Sequence, residues 1–488
     1  MDKTNRKRIK KEEVYLLLFT ILILAFQAIR IGNDSISGDE GFSLMLLKMD
    51  VPTMIKTTAA DVHPPLYYLL YQFFALFGGY SAIAGRVFSY LAIVLAAVLA
   101  NTYLKKRFGI YAAAIFLVLL TFTGNCMEMI VEIRMYTWSM LFVTLTALFA
   151  YELMRTPRSG FYPWAGFSIC SLAAAYSHYY ALIMVAFIYL FLYVVLIARD
   201  KKNIIPCLLS GFVAVVAYFP WLLVLLKQFD MVSQDYWISN IDIKECIRYV
   251  FGSNRFGKLL RLILALSAFI YLFTQDGLHI THQKEKTDQA FLRFDWQKIK
   301  HWDADRLLVL LCGIVTVGTL AVGIGVSYLF RPLYVVRYLY SAMGLVCLAF
   351  GIAFTGCSTK RIYAQILIIA VLLFGLPQLA SMIKVEKAYQ TEETKEYFAQ
   401  HLQPGDAIIT NDAMISWTLL AYYFPNHQTS HMANYDLLTE QYTTAWYMNT
   451  GKEVDKRIAE YEAKGLTVTY VMDSGIGRYP YALYRITK

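Results

Sequence analysis

The sequence is short of charge. Asp, Glu, Lys and Arg make up 16% of its 488 residues and hydrophobic residues 58%, whereas a soluble domain carries about 25% charged residues. That excludes an ordinary soluble globular chain and points to a polytopic membrane protein. The seven cysteines are an odd number, lie mostly in apolar runs and show no metal-type spacing, which argues against a zinc site or a disulfide framework. A Cys126–Cys246 bridge is one reading; small buried hydrophobes are the preferred one. Internal repeats and low-complexity tracts are missing as well. The first apolar run, Val14 to Ile31, has no small-residue cleavage site after it, so it reads as a retained helix and not a removed signal peptide.

What is present is a basic balance, 45 Lys and Arg against 35 Asp and Glu, a net charge of +10. Nucleic acid is not the expected partner, because the basic residues are placed by topology. Lys3, Arg6, Lys7, Arg8, Lys10 and Lys11 precede the first apolar run; Lys105-Lys106-Arg107, Arg155 with Arg158, Arg199 with Lys201-Lys202, and Lys360-Arg361 follow at alternate loops. This is the positive-inside pattern. Spans are expected at 14–31, 82–104, 110–125, 135–154, 162–178, 180–198, 204–226, 259–274, 307–329, 334–355 and 362–383, each near the length that crosses a bilayer. An N-terminus inside then puts every basic cluster in the cytoplasm, with the polar insert 275–306, and the C-terminus outside.

The first outer loop, 32–81, carries Asp39, Glu40, Asp61, His63 and Pro64-Pro65. Its stretch from Pro65 to Phe77 is apolar, aromatic and too short to span, which suits an interfacial helix. Beyond residue 383 the composition becomes that of a soluble domain. "EETKEYFAQHL", "AMISWTLLAYYF" and "KEVDKRIAEYEAKG" read as helices, "DAIIT" and "LTVTYVMD" as strands. The expected organisation is a membrane domain over 1–383 and an extracytoplasmic α/β domain over 384–488.

The expected topology brings Asp39, Glu40, Asp61, His63, Glu128, Glu132, Arg134, His178, Arg331 and Arg337 to one membrane face. Interfacial loops are polar in any case, and Glu128 reads as solvated. Glu132 and Arg134 open an apolar helix, however, and Arg337 lies inside "LYVVRYLY", where ionisable residues are costly unless paired or functional. Acids and arginines meeting there suit transfer from a lipid-phosphate sugar. Cations hold the departing phosphate, and a carboxylate takes the acceptor's proton. The same residues would also permit a lipid phosphatase or a proton-coupled transporter.

Four stretches in order carry a family resemblance: "GDEGFS", "DVHPPLYYLL", "VEIRMYTWSMLF" and "YVVRYLYSAMGL", with "YSHYYAL" as a weaker fifth. Together they resemble the GT-C membrane glycosyltransferases of the dolichyl-phosphate-mannose-protein mannosyltransferase and aminoarabinose transferase type, over roughly residues 14–355. The resemblance implies a GT-C fold of about 11 transmembrane helices in a bacterial plasma membrane. It also implies a polyprenyl-phosphate monosaccharide donor, inversion at the sugar, and no cofactor or catalytic divalent metal. Carried onto this chain, it makes Asp39 the general base, Glu40 its support, Glu132 a second acid, and Arg134 and Arg337 the ligands of the donor phosphate. His63, where some relatives carry Lys, becomes a phosphate or sugar contact. His178 and Tyr338 are kept as substrate contacts, although Tyr136, Tyr338 and Tyr340 read first as interfacial aromatics and His178 equally as structural. An ion gathered by Asp39, Asp61, His63 and His178 is the alternative left open. The glycines flanking the acidic pair, Gly38 and Gly41, are expected to let the loop turn tightly. The acceptor is a lipid, a cell-wall glycopolymer or a protein.

Three rivals stand beside this reading. A flippase for lipid-linked sugars would place ionisable groups near the midplane and show repeats. A glycopolymer polymerase or ligase usually lacks an Asp-Glu pair after its first helix. A cell-surface scaffold would need no buried arginines.

Overall fold

The computed structural model describes residues 11–33, 35–156, 160–199, 201–234, 242–273, 302–330, 332–357, 360–388, 391–402, 406–410, 428–431, 444–449, 454–474 and 481–488. The basic residues before Lys11, Arg158, Arg331, most of the 275–306 insert and the helix expected at 413–424 lie outside them.

Among the described residues, nine helices are long and apolar enough to cross a membrane, and the chain is a multi-pass membrane protein. These are α1 (Lys11–Ala28, extended by a 3₁₀ turn to Gly32), α5 (Ala82–Phe108), α8 (Tyr136–Arg155), α10 (Tyr179–Arg199), α11 (Ile204–Gln234), α13 (Arg255–Phe273), α14 (Ala304–Leu329), α15 (Met343–Cys357, preceded by a 3₁₀ segment Val336–Ala342) and α16 (Arg361–Lys387). Two shorter helices, α6 (Ile110–Phe122) and α9 (Phe161–Ser177), occupy the other two expected positions. Helix α6 is buried on every side from Ala112 onward, which is why its sequence has no polar face.

The segment between α1 and α5 is helical, not an open loop with one helix. It holds α2 (Gly38–Leu47), α3 (Val51–Ala60) and α4 (Leu66–Gly78). Each starts or stops on a local signal. Ser37 caps α2 in a reciprocal box with Glu40, Asp50 caps α3 with Pro52 in its first turn, and Gly79, at φ +78°, ends α4. The glycines beside the acidic pair are therefore helical residues of α2, and neither has a positive φ; the tight turn expected of them is not there. Helix α4 buries Tyr67, Tyr68, Tyr71 and Ala75 and exposes Phe73, Leu76 and Phe77, an apolar two-faced helix with the character expected of an interfacial one.

The two ends of the bundle differ. At one, the basic clusters meet acids: Arg107 and Arg155 on Glu152 at 3.0 Å each, Lys105 on Glu13 at 3.7 Å, and Arg361 on Glu12 at 2.7 Å. At the other, buried Arg30 pairs with Glu386 at 2.6 Å and donates to the carbonyl of Met127, tying α1 to α16 and to a short helix, α7 (Gly124–Met129). This second end carries Asp39 and Arg337.

After α16 come α17 (Thr391–His401), β1 (Ala407–Thr410), β2 (Gln428–His431), β3 (Thr444–Asn449), a helix Val454–Ala463, β4 (Thr467–Ser474) and β5 (Tyr481–Thr487). The sheet order is β2-β1-β3-β5-β4, with β2, β1 and β3 parallel and β5 and β4 antiparallel. Sequence patterning found β1, β4 and two of the helices, and missed β2, β3 and β5. One sheet face packs Ile408, Trp446 and Leu483 against Phe398 of α17. The other packs Ala407, Ile409, Ala445, Tyr447 and Ile486 around Tyr461.

Candidate active site

The site is built on the first turn of α2. Ser37 Oγ accepts from the Glu40 amide at 3.3 Å, and Glu40 Oε2 accepts from the Ser37 amide at 2.8 Å, so the sequence S-G-D-E makes its own helix start. The box turns Glu40 inward. Its other oxygen accepts from the Ile133 amide at 3.1 Å, and Arg86 of α5 lies 3.8 Å away while donating to the Ser35 carbonyl. Glu40 is completely buried. Expected as the support of Asp39, it is fixed to the backbone around it and joins α2 to the Glu132–Arg134 turn.

That turn, between α7 and α8, is closed by the Arg134 amide on the Glu132 carbonyl at 2.7 Å. Glu132 is buried and accepts from Ser37 Oγ at 3.4 Å. Ile133 sits against Gly85, where a Cβ would come within 2.7 Å of its Cγ2; the missing side chain is what lets the turn approach α5.

With Glu40 facing in, Asp39 faces the open side. Its Oδ2 pairs with Arg337 Nη1 at 2.7 Å, the two side chains being 18% and 29% exposed. Arg134, only 2% exposed, approaches the same turn from behind. Its Nη1 donates to the Asp39 carbonyl at 3.3 Å, Tyr68 Oη at 3.3 Å and Ser43 Oγ at 3.4 Å, and its Nη2 lies 2.6 Å from His63 Nε2. Burial opposes the Arg134 charge, but Tyr68, Asp39, Tyr136 and Asp61 together outweigh it and hold the guanidinium firmly protonated. The two arginines, equivalent in the sequence reading, thus differ: Arg134 is committed to protein groups and Arg337 is the accessible one.

A guanidinium can only donate, so His63 Nε2 accepts and its proton sits on Nδ1. Burial first, then Arg134, His178 and Arg337, holds His63 well below the ordinary histidine value. His178 accepts the Tyr180 amide on Nδ1 at 3.1 Å and is pushed down to about 3 by burial, Arg134 and Arg337. Both rings are neutral. Asp61, by contrast, is pushed up, chiefly by burial. His178 packs against Tyr338 at 4.9 Å and Tyr136 at 5.8 Å between ring centres, and Tyr180 stacks on Tyr338 at 5.2 Å. Tyr136, Tyr338 and Tyr340 are all buried within the protein. No group of three or more His, Cys, Asp and Glu side chains that could hold a metal ion occurs among the described residues; Asp39, Asp61, His63 and His178 do not form one.

Sequence reasoning passed over Arg86 and Gln228. Arg86 had a signal, a lone arginine inside an apolar span. Gln228 of α11 donates to the Thr58 and Ala59 carbonyls at 3.0 and 3.1 Å and accepts from Tyr179, fixing the end of α3 ahead of Asp61. A glutamine near a helix end announces nothing of that kind. Glu128 is exposed as expected, and Cys126 and Cys246 are separate buried thiols.

No family model and no curated protein sequence matches the chain. Solved structures do. ArnT from Cupriavidus metallidurans in the apo state superposes with a TM-score of 0.61 at 12% identity, over 97% of this chain and 98% of that one. The same protein bound to undecaprenyl phosphate gives 0.61 at 11% identity over the same shares. Archaeal oligosaccharyltransferase AglB from Archaeoglobus fulgidus, in complex with an inhibitory peptide and a dolichol-phosphate, is a looser likeness, with a TM-score of 0.45 at 12% identity over 93% of this chain and 71% of that one. The helical bundle has a fold of the GT-C type, and a small C-terminal sheet follows it.

Proposed function

We propose that this protein is an inverting glycosyltransferase that moves a monosaccharide from a polyprenyl-phosphate donor to an acceptor hydroxyl or amine at the outer face of a bacterial plasma membrane. The observation that carries the reading is the Asp39–Arg337 pair at 2.7 Å, a carboxylate and an accessible guanidinium side by side at the outer end of a GT-C-type bundle. That ArnT has been solved with undecaprenyl phosphate bound supports a lipid phosphate as the donor's carrier.

The chemistry follows from the two charges. Donor phosphate competes with Asp39 for Arg337 and draws the guanidinium toward itself, which frees the carboxylate. Asp39 then accepts the proton of the acceptor hydroxyl or amine as its heteroatom bonds to the anomeric carbon. The anomeric C–O bond breaks on the opposite face, and its electron pair leaves on the polyprenyl phosphate. Arg337 meets that developing charge directly. Arg134, held by His63, Tyr68, Ser43 and the Asp39 carbonyl, supplies fixed positive potential and keeps the first turn of α2 in place. Neutral His63 orients Arg134, Glu40 and Glu132 brace the turn, and Tyr338 and His178 line the approach to Arg337. The acceptor is a lipid, a glycan or a protein, and the C-terminal sheet domain stands outside the cell with it.

The test supplies purified protein in lipid nanodiscs with a panel of radiolabelled undecaprenyl-phosphate sugars and a membrane extract as acceptor source. Label should move from lipid to a new product with the native chain and stay on the lipid with Asp39→Asn. Transfer by the variant at the native rate, or no transfer from any donor, overturns the reading; release of free sugar alone would make the protein a hydrolase.

A further inference from the structure

Three buried phenols, on α8, on the 3₁₀ segment that carries Arg337 and on a helix packed against that segment, have no use in the chemistry above. Tyr136 opens α8, Tyr340 lies in the 3₁₀ segment before α15, and Tyr249 ends a short helix, α12 (Ile243–Tyr249), that packs on that segment. Their side chains are 1%, 0% and 7% exposed, and none of the three hydroxyls has a hydrogen-bond partner. An unpaired buried hydroxyl destabilises a fold, and buried polar groups are nearly always satisfied. Three at one place are better explained by a ligand than by three separate defects.

They lie on elements that pack together, the 3₁₀ segment with Tyr340 touching both α8 and α12. The Tyr249 hydroxyl is held protonated by burial first and then by the fields of Cys126, Tyr340, Tyr136 and Glu128, so Tyr136 and Tyr340 are both its electrostatic neighbours. Tyr136 in turn lies in the fields of Arg337, Arg134, Asp39 and Glu132. The phenols therefore lead away from the reacting pair, and the guanidinium beside them, Arg261, is committed to the Val250 and Gly252 carbonyls and not left for a second phosphate. A sugar ring suits neutral phenols, because its hydroxyls both donate and accept and its C–H face packs on an aromatic ring.

Building on the proposed transferase reading, we infer that Tyr136, Tyr249 and Tyr340 form the subsite for the donor's sugar ring, with Tyr249 and Tyr340 selecting its hydroxyl pattern. The anomeric carbon lies between Asp39 and the phosphate on Arg337, and the ring extends past Tyr136 toward Tyr249 and Tyr340.

The test compares native protein with the Tyr249→Phe/Tyr340→Phe double variant. The probes are undecaprenyl phosphate alone and undecaprenyl phosphate carrying glucose, mannose, galactose or arabinose, with binding read in nanodiscs. The native protein should bind at least one glycosylated lipid about 10-fold or more tighter than the bare one, the scale of one or two lost hydrogen bonds. The double variant should lose that preference, keep its affinity for the bare lipid, and melt no lower than the native protein, since it sheds two unpaired hydroxyls. An unchanged preference in the variant overturns the inference, as does a native protein that binds every glycosylated lipid no better than the bare one. Weaker binding of the bare lipid by the variant assigns the phenols to phosphate and overturns it too. If the native protein fails to bind even bare undecaprenyl phosphate, the transferase reading itself falls.

Discussion

Arg337 Nη1 lies 2.7 Å from Asp39 Oδ2, and both side chains keep some contact with solvent while everything behind them is buried. The pair is closed on itself, so a substrate phosphate must displace a carboxylate before that carboxylate can act. Two consequences of opposite sign follow from one substitution. Asp39→Asn should lower transfer by about 10²- to 10⁴-fold, the range for losing a general base. It should also bind bare undecaprenyl phosphate more tightly, because Arg337 no longer has a carboxylate to leave; a part-exposed pair contributes about 0–1 kcal/mol, so the gain is up to about fivefold. Transfer and lipid titration on one preparation check both, and weaker lipid binding would remove the competition from the mechanism.

Arg337→Gln should behave differently from Arg134→Gln. On the proposed mechanism the accessible arginine meets the leaving phosphate, so its loss should lower turnover by about 10²- to 10³-fold with a normal melting temperature. Arg134 is buried and holds four protein groups. Its removal takes their donor from His63 and the Tyr68 hydroxyl, at about 1–3 kcal/mol each, while Ser43 still donates to the Asp39 carbonyl, so this variant should melt well below the native protein. Thermal unfolding followed beside activity separates the two roles; identical melting would make the arginines equivalent after all.

Glu40 should prove a fold residue. Its carboxylate accepts two backbone amides and faces Arg86 with both side chains buried. Glu40→Ala should destabilise the protein by about 3–5 kcal/mol, the cost of leaving a buried charge without its partner. Adding Arg86→Met should recover part of that loss, because the stranded guanidinium goes with it. Unfolding midpoints of the single and double variants are the measurement, and no recovery would show that Arg86 is held by Ser35 alone.

The acidic pair shows how far sequence carries and where it stops. Composition, the placement of basic residues and four short motifs located the spans and put Asp39 and Arg337 at one end of the bundle. The resemblance separated Asp39, as base, from Glu40, as its support, but not the way each side chain faces. That depends on Ser37, whose cap starts a helix at Gly38 and so sends consecutive residues to different faces. An S-x-x-E box is legible in principle; the two glycines drew attention to a turn instead. Strands β2, β3 and β5 were missed because each is short and its pairing is set by partners distant in sequence. Nothing local marks Tyr249 as a neighbour of Tyr136, since 113 residues and several spans separate them.

The two neutral histidines make stability depend on pH in a definite direction. His63 and His178 have folded values below the ordinary one, His178 at about 3, so below about pH 6.5 the unfolded chain binds protons that the folded chain refuses. Their contribution is complete above about pH 6.5 and is lost as pH falls toward the folded values, at up to about 1.4 kcal/mol per pH unit for each ring. Asp61 runs the other way: its raised value favours the fold below about pH 3.8 and that contribution is lost on going up through the folded value, so it opposes the histidines only at the acid end. Melting temperature should therefore fall from pH 7 to pH 5, and His63→Gln, whose amide oxygen still accepts from Arg134, should flatten the slope. A slope unchanged in that variant would mean that His63 titrates alike in the folded and unfolded chains.

Gly85 is the smallest feature on which the site depends. A Cβ there would come within 2.5 Å of Tyr71 Oη and 2.7 Å of Ile133 Cγ2. Tyr71 is buried and stacked on Phe88, and Ile133 is buried between Glu132 and Arg134 with its amide donating to Glu40, so neither gives way freely. Gly85→Ala should therefore push the Glu132–Arg134 turn off α5 and cost about 1–3 kcal/mol of stability, as overpacking does. It should also lower transfer, because the displaced Arg134 carries with it its contact to Asp39. Shortening the obstructing side chain should relieve the clash, so Gly85→Ala with Ile133→Ala should lose less than the sum of the single changes. A double-variant cycle in unfolding free energy and turnover measures this. Strict additivity in both would show that Gly85 and Ile133 do not meet, and that the turn is held against α5 by Glu40 and Arg86 without them.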